Sequence, residues 1–169
     1  TGNGYRSDMA IDNISLTVAA SGPEINIQGN ATNIVDGDTT PSVTDDTDFG
    51  SLGAGGNLDH TFTIQNVGTT TLGLTGVPLV NISGDAAFTI LTQPTASTIT
   101  AGNSLTFVVR FAPTINGTVQ AIVSITSNDG NESPYTFTVQ GTGVAPLTEG
   151  PGGVTADLEL WLKGTDGLS

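Results

Sequence analysis

The stretch from Phe107 to Gly143, FVVRFAPTINGTVQAIVSITSNDGNESPYTFTVQGTG, decides the fold of this chain. Three runs within it alternate apolar and polar residues, and turn residues end each run. Alternation with a period of two is typical of half-buried β-strands. The apolar members are Phe107, Val109 and Phe111, then Val119, Ala121, Val123 and Ile125, then Tyr135, Phe137 and Val139. The pattern predicts a sandwich of antiparallel strands.

Further strand-like runs precede this stretch at intervals of roughly 8–15 residues, the spacing expected of an all-β sandwich. They are Glu24–Gln28, His60–Val67, Leu72–Leu74, Pro78–Ile82 and Phe88–Leu91. No helical period extends beyond about a turn in this region. We therefore predict an all-β fold with about seven to nine sandwich strands.

The composition restricts the function classes. The 169 residues include 3 lysines and arginines against 16 aspartates and glutamates, which gives a net charge of −13. Such a chain repels nucleic acid and anionic lipid, because phosphate binding needs lysine and arginine. The chain has no cysteine, which excludes disulfides, zinc–thiolate sites and cysteine nucleophiles. No apolar run approaches the ~20 residues of a membrane span.

The chain divides into four parts by composition. Residues 1–20 hold one isolated strand-like run, residues 23–145 form the main domain, and residues 146–153 are a Pro/Gly-rich linker. Residues 154–169 restart an alternating pattern. We expect the first and last parts to be partial strands of flanking domains, so that the chain is a piece of a longer modular polypeptide.

Several motifs in the main domain resemble the ASPM/SPD-2/Hydin (ASH)-type Ig-like domain, known in bacteria as the choice-of-anchor D repeat. The matching motifs are TFTIQNVG at 61–68, FAP at 111–113, GTV at 117–119, SND at 127–129, PY at 134–135 and GTG at 141–143. The resemblance covers residues 23–145 and implies an Ig-like β-sandwich. Residues 33–41 and 47–50 look like the version found in large Bacteroidetes surface proteins, which implies a secreted, type IX-exported adhesin.

The flanks and one surface motif carry shorter resemblances. Residues 7–16 are similar to the last strand of a MAM-type jelly roll. Residues 154–163 look like the start of a laminin-G/concanavalin-like domain. The run Asp38-Thr39-Thr40 resembles a Bacteroidetes O-glycosylation signal, which implies Thr39 as the acceptor.

An acidic loop, residues 36–48, is the best candidate for chemistry. It carries five carboxylates: Asp36, Asp38, Asp45, Asp46 and Asp48. Calcium prefers six to eight oxygen ligands, so these residues are a candidate Ca²⁺ site. The EF-hand pattern fails, since the later glycine and glutamate are missing. The alternative is a solvated loop whose aspartates form Asx-turns.

Four other side chains admit both a functional and a structural reading. His60 is the only histidine, and no nucleophile elbow accompanies it, so we expect it at a strand end rather than in a catalytic triad. Tyr135 and Trp161 suit either sugar stacking or a core. Arg110 lies on the outward face of its strand, where we expect an acidic partner.

These observations favour a non-catalytic extracellular spacer module of a large bacterial surface protein. Its expected partners are neighbouring β-domains of the same polypeptide, with no nucleic acid and no membrane insertion. Two alternatives stay open: a Ca²⁺-assisted module that binds a glycan or protein, and an accessory domain of a secreted hydrolase. Fold alone does not choose between them.

Overall fold

The computed structural model describes residues 22–145, which form two facing β-sheets and a small ribbon. The strands are β1 Ile25–Gly29, β2 Thr32–Ile34, β3 Asp48–Gly53, β4 Leu58–Asn66, β5 Leu72–Gly73, β6 Asn81–Gly84, β7 Phe88–Thr92, β8 Thr98–Ile99, β9 Ser104–Phe111, β10 Gly117–Ile125 and β11 Tyr135–Val144. These residues contain no helix, and so none that could cross a membrane. The sequence-based predictions for residues 1–20, 146–153 and 154–169 lie outside the described residues.

The two sheets have unequal sizes. The first sheet has the order β2-β1-β4-β9-β7, the second has the order β3-β11-β10-β6, and β5 pairs with β8 in the ribbon. All pairs are antiparallel except β3 with β11. The predicted all-β sandwich is confirmed. The described strands outnumber the expected seven to nine because β2, β5 and β8 are only two or three residues long, too short for alternation to reveal.

The core lies between the sheets and is built by the alternation seen in the sequence. The three runs of the 107–143 stretch all turn their apolar members inward, with Val119 partly buried and the others buried. Phenylalanine rings fill much of the space: Phe62 stacks on Phe107 at 5.5 Å between ring centroids, and Phe88 stacks on Phe111 at 4.7 Å. Offset and tilted ring contacts of this kind add to the free energy gained by burial.

The last three long strands do not form one meander. β10 and β11 pair over nine residues, from Gly117 opposite Gly143 to Ile125 opposite Tyr135. β9 instead belongs to the other sheet, between β4 and β7. The chain therefore crosses from one sheet to the other between β9 and β10. This crossing is what makes a two-layer sandwich from locally similar strands.

Strand β7 includes Leu91, as predicted, but this side chain faces solvent. Phe88 is 3% exposed and faces the core, whereas Leu91 is 46% exposed. The register of β7 against β9 shifts between Ile90 and Thr92. Leu91 therefore sits in an irregular edge segment, where the inward alternation of the strand is lost.

The described chain begins and ends at opposite ends of the sandwich. At the N-terminal end, Ile25 lies opposite Asn66 and its N–H donates to Asp129 Oδ2 at 2.9 Å. At the C-terminal end, Val144 pairs with Gly53, and its carbonyl accepts from the N–H of Ala54 at 2.8 Å. Ten-residue β11 spans the molecule between these ends, a length of roughly 30 Å at ~3.3 Å per residue.

Candidate functional site

The acidic loop, residues 36–48, is fastened along the edge of β11. Gly37 N–H donates to the Thr136 carbonyl at 2.7 Å, and Thr138 N–H donates to the Asp38 carbonyl at 2.8 Å. Farther along, Gln140 N–H donates to the Thr47 carbonyl at 2.9 Å. The loop thus continues the line of β3 and satisfies backbone groups of β11 that would otherwise be unpaired.

Most carboxylates of the loop are engaged locally. Three of them accept a hydrogen bond from the backbone N–H two residues later: Asp38 from Thr40 at 2.8 Å, Asp45 from Thr47 at 3.1 Å and Asp48 from Gly50 at 2.8 Å. Asp36 Oδ1 accepts instead from Thr136 N–H at 2.7 Å. Asp46 has a φ of 61°, a conformation that aspartate tolerates better than most residues. The local pattern is that of Asx-turns.

The five loop carboxylates do not converge on one point. Among residues 22–145, the group of acidic ligand atoms lying within 4.8 Å of one another belongs to Glu24, Asp129 and Glu132, none of which the sequence analysis proposed as a ligand. Calcium binding by Asp36, Asp38, Asp45, Asp46 and Asp48 stays a prediction. Thr39, the predicted glycosylation acceptor, is exposed in the same loop, and its modification also stays a prediction.

The three-carboxylate cluster forms at the N-terminal end of the sandwich. Glu24 precedes β1, while Asp129 and Glu132 lie in the turn between β10 and β11. Asp129 is 1% exposed, and its Oδ2 holds the Ile25 N–H, a contact between residues 104 positions apart. Burial raises the pKa of Glu132, and the neighbouring Glu24, Asp129 and Asp36 raise it further. These three residues are where the described chain most readily offers oxygen ligands to a cation.

Tyr135 serves the core rather than a surface site. Its side chain is 3% exposed and its hydroxyl donates to the Ile34 carbonyl across the two sheets. Burial, reinforced by the nearby Glu132 carboxylate, raises the pKa of Tyr135 to about 12. The ring is therefore not available to stack on a sugar.

His60 and Arg110 both have structural partners. His60 Nδ1 donates to the Asp46 carbonyl at 2.7 Å, and its ring stacks on Phe49 at 4.0 Å between centroids. Arg110 binds Asp59 in a bidentate pair with both N···O distances at 2.7 Å. The acidic partner expected for Arg110 is thus present, one strand away on β4. This pair raises the pKa of Arg110 and lowers that of Asp59, in both cases chiefly through the hydrogen bond between them.

Comparison with known proteins identifies the sandwich. Residues 42–142 match the model of the HYDIN/CFA65/VesB-like, Ig-like domain family. The chain belongs to this family. The Ig-like domain predicted from the TFTIQNVG, FAP and GTG motifs is therefore confirmed, together with its relationship to Hydin-type domains. No curated protein sequence matches the chain significantly.

Solved structures resemble this Ig-like domain at low identity. A Porphyromonas gingivalis W83 protein of unknown function is 21% identical with a TM-score of 0.53, over 78% of this chain and 51% of that one. The VesB protease of Vibrio cholerae is 18% identical with a TM-score of 0.44, over 57% of this chain and 29% of that one. The human CEP192 ASH/PapD-like domain is 13% identical with a TM-score of 0.41, over 82% of this chain and 96% of that one. This chain therefore spans about half of the Porphyromonas protein and under a third of the Vibrio protein.

Proposed function

We propose that this Ig-like domain is a non-catalytic spacer that separates neighbouring domains of a larger secreted or surface-attached bacterial protein, an adhesin in the leading case. The observation that carries the proposal is that Ile25 and Val144, near the two ends of residues 22–145, lie at opposite ends of the sandwich. A net charge of −13 and the lack of cysteine suit a soluble module exposed outside a bacterial cell. Its partners are then the adjoining domains of its own polypeptide.

Both ends of the described chain are tied to the sandwich. Thr69 N–H donates to the Gly22 carbonyl at 2.9 Å, and Val67 N–H donates to the Glu24 carbonyl at 2.9 Å. At the other end, the Ala54 N–H donates to the Val144 carbonyl at 2.8 Å. Both ends of residues 22–145 are therefore hydrogen-bonded to the sandwich, which limits the slack that these residues themselves add between neighbouring domains.

The end strands are well placed to bear tension. β1 is paired on both sides, by β2 and β4, and β11 is paired on both sides, by β10 and β3. Pulling the two chain ends apart loads these ladders along the strand direction, so that many hydrogen bonds resist together rather than one after another. This is the loading that a spacer in a surface protein has to withstand.

The described residues favour a structural role over a catalytic one. The single histidine is committed to the Asp46 carbonyl and to the ring of Phe49. The buried Asp129 accepts a hydrogen bond from the Ile25 N–H. Residues 22–145 thus present no histidine poised beside a nucleophile, which is the geometry that general-base catalysis requires.

Single-molecule force spectroscopy tests the spacer function. The full chain is held by tags at its two termini, and we expect one all-or-none unfolding step that releases about 400 Å of chain. As a matched control, the C-terminal handle is moved to a cysteine introduced by Ala101→Cys. Ala101 lies in an exposed turn at the N-terminal end, so both handles are then at the same end of the sandwich. The second geometry peels strands from one end, so the unfolding force should fall. Several small steps in the first geometry, or equal forces in both, would contradict the proposal.

An accessory domain in a secreted hydrolase is the second candidate. The description of the family that contains this chain names VesB as one of its members. VesB of Vibrio cholerae is a protease. In that case hydrolytic activity belongs to other domains of the polypeptide. Assaying the longest natural polypeptide with and without residues 22–145 separates the two functions, because an accessory domain changes turnover or substrate binding and a pure spacer does not.

A further inference from the structure

The N-terminal end carries a groove of about 330 Å³ that neither the spacer function nor the family match accounts for. We define this N-terminal groove by six of its lining residues: Glu24, Val35, Asp36, Val67, Glu132 and Tyr135. These residues come from the start of β1, the end of β2, the end of β4 and the turn before β11. Only the folded sandwich brings them together.

Part of the groove is apolar and open to solvent. Val35 is 72% exposed and Val67 is 58% exposed, and both line the groove. A single exposed valine on a soluble protein needs no explanation. Two valines on one concave surface form a site where an apolar side chain would lose contact with water on binding.

The rest of the groove is strongly acidic. Glu24, Asp36 and Glu132 lie on it, and the buried Asp129 stands directly behind, within 4.8 Å of both glutamates. Within residues 22–145 the only lysine or arginine is Arg110, which is committed to Asp59 on β4. The groove therefore has a local excess of negative charge that the described chain does not neutralise. Burial raises the pKa of Glu132, and the carboxylates of Glu24, Asp129 and Asp36 raise it further.

This mixture suits a peptide better than a bare metal ion. A calcium ion takes six to eight oxygen ligands, and Asp129 already holds the Ile25 N–H. A calcium ion also makes no use of Val35 and Val67. A peptide that carries arginine or lysine beside an aliphatic residue would pair its cations with the carboxylates and bury its apolar side chain between the valines. Such a peptide would be complementary to both the acidic part and the apolar part of the groove.

We propose that the N-terminal groove is a docking site for a basic, extended peptide segment of a partner protein, with Glu24 and Glu132 pairing with its cations. Glu24 and Glu132 set the charge preference, and Val35 and Val67 set the preference for an aliphatic residue beside the cations. This proposal is independent of the spacer function, because it concerns one end of the sandwich and not its span.

Amide chemical-shift mapping on the ¹⁵N-labelled full chain tests the proposal. The probe is the peptide acetyl-Val-Arg-Val-Arg-Val-amide, and its partner probe carries glutamate in place of arginine. We expect the basic peptide to shift the amides of Val35, Val67 and Glu132, with binding that weakens as sodium chloride is added. The double variant Glu24→Gln, Glu132→Gln should lose about tenfold in affinity, because each partly exposed ion pair strengthens binding by about threefold.

A matched variant distinguishes binding at the N-terminal groove from non-specific attraction of a basic peptide to an acidic protein. Asp85 is exposed in a different groove, at the C-terminal end beside Ile115, and Asp85→Asn should leave the affinity unchanged. Thermal unfolding of each variant checks that the fold is intact. The proposal is overturned if the basic peptide shifts no groove amides at millimolar concentration, if the glutamate peptide binds equally well, or if Asp85→Asn weakens binding as much as the double variant. Groove shifts caused by calcium chloride, in the absence of any by the peptide, would also overturn it.

Discussion

Gly141 shows how closely the two sheets approach each other at one residue. It lies in β11 and is buried. A Cβ atom built at this position would lie 2.6 Å from the ring of Phe111, on the facing sheet. That ring is fully buried and stacked on Phe88, so it has no free space to move into. The glycine of the closing GTG motif is therefore required by packing rather than by backbone conformation.

Replacing Gly141 with alanine should destabilise the domain. The added methyl group overpacks a filled core, and such overpacking typically costs about 1–3 kcal/mol. Gly130→Ala is the matched control, because a Cβ at Gly130 meets nothing within 4 Å. Urea unfolding of the two variants and the parent measures both effects. Equal stability of Gly141→Ala and Gly130→Ala would show that the sheets can separate at low cost.

Glu132 should make stability depend on pH in the acidic range. Its folded-state pKa lies above the ordinary 4.5, so the folded protein holds this proton more tightly than the unfolded chain does. The resulting stabilisation is complete below the unfolded pKa and is lost as the pH rises through the folded pKa. Glu132→Gln should therefore gain stability at neutral pH, by no more than about 0.5 kcal/mol at this solvated position.

Thermal unfolding of the parent and Glu132→Gln across the acidic range checks this prediction. The difference in stability between the two proteins should shrink as the pH falls below the pKa of Glu132 in the unfolded chain. Glu132 is then protonated in both the folded and the unfolded state. A stability difference that stays constant from acidic to neutral pH would argue that the glutamine acts through contacts and not through charge.

At the scale of elements, strand length decided what the sequence could predict. β9, β10 and β11 have eight to ten residues, enough for alternation to identify both the strand and its buried face. β5 and β8 have two residues each, and their pairing depends on distant parts of the chain. The sequence likewise could not show that β3 joins β11 in parallel, since a parallel pair leaves no local turn signal.

The acidic loop is the element whose chemistry is open to a direct test. If the predicted calcium site exists, adding calcium chloride should raise the thermal midpoint of the full chain and a chelator should reverse the rise. The double variant Asp36→Ala, Asp38→Ala should lose this response. Glu132→Gln is the control, since it alters the other acidic cluster. A response lost in Glu132→Gln but kept in the loop variant would assign the ion to the N-terminal end instead.

Sheet edges dominate behaviour at the scale of the whole molecule. The outermost strands of the two described sheets are β2 with three residues, β6 with four, and β3 and β7, each with a register shift against its neighbour. Short or irregular edge strands are the usual protection against pairing with another chain. Strand exchange between copies is therefore disfavoured for residues 22–145.

The chain should accordingly be a monomer in solution. Light scattering coupled to size exclusion should give 17.0 kDa without dependence on concentration. A mass of twice that value, rising with concentration, would mean that an edge or a face of the sandwich is paired after all.

The N-terminal groove could not be predicted from the sequence, because the residues that form it are far apart along the chain. Glu24 and Glu132 are separated by most of the domain, and each on its own is an ordinary polar residue beside a turn. The five loop aspartates stood out because they are close in sequence, yet Asx-turns keep most of them occupied locally. Charge clustering along a chain and charge clustering in space are different properties, and only the fold relates them.

The position of Arg110 within a strand that is paired on both sides has a consequence for cleavage by proteases. Arg110 is the only lysine or arginine between Arg6 and Lys163, and it lies within β9, hydrogen-bonded on both sides by β4 and β7. A trypsin-like protease needs an extended, unpaired segment around a basic residue, and the folded sandwich offers it none between residues 22 and 145. Where such proteases are abundant, this domain should outlast neighbours with ordinary lysine content and remain as a large, intact remnant.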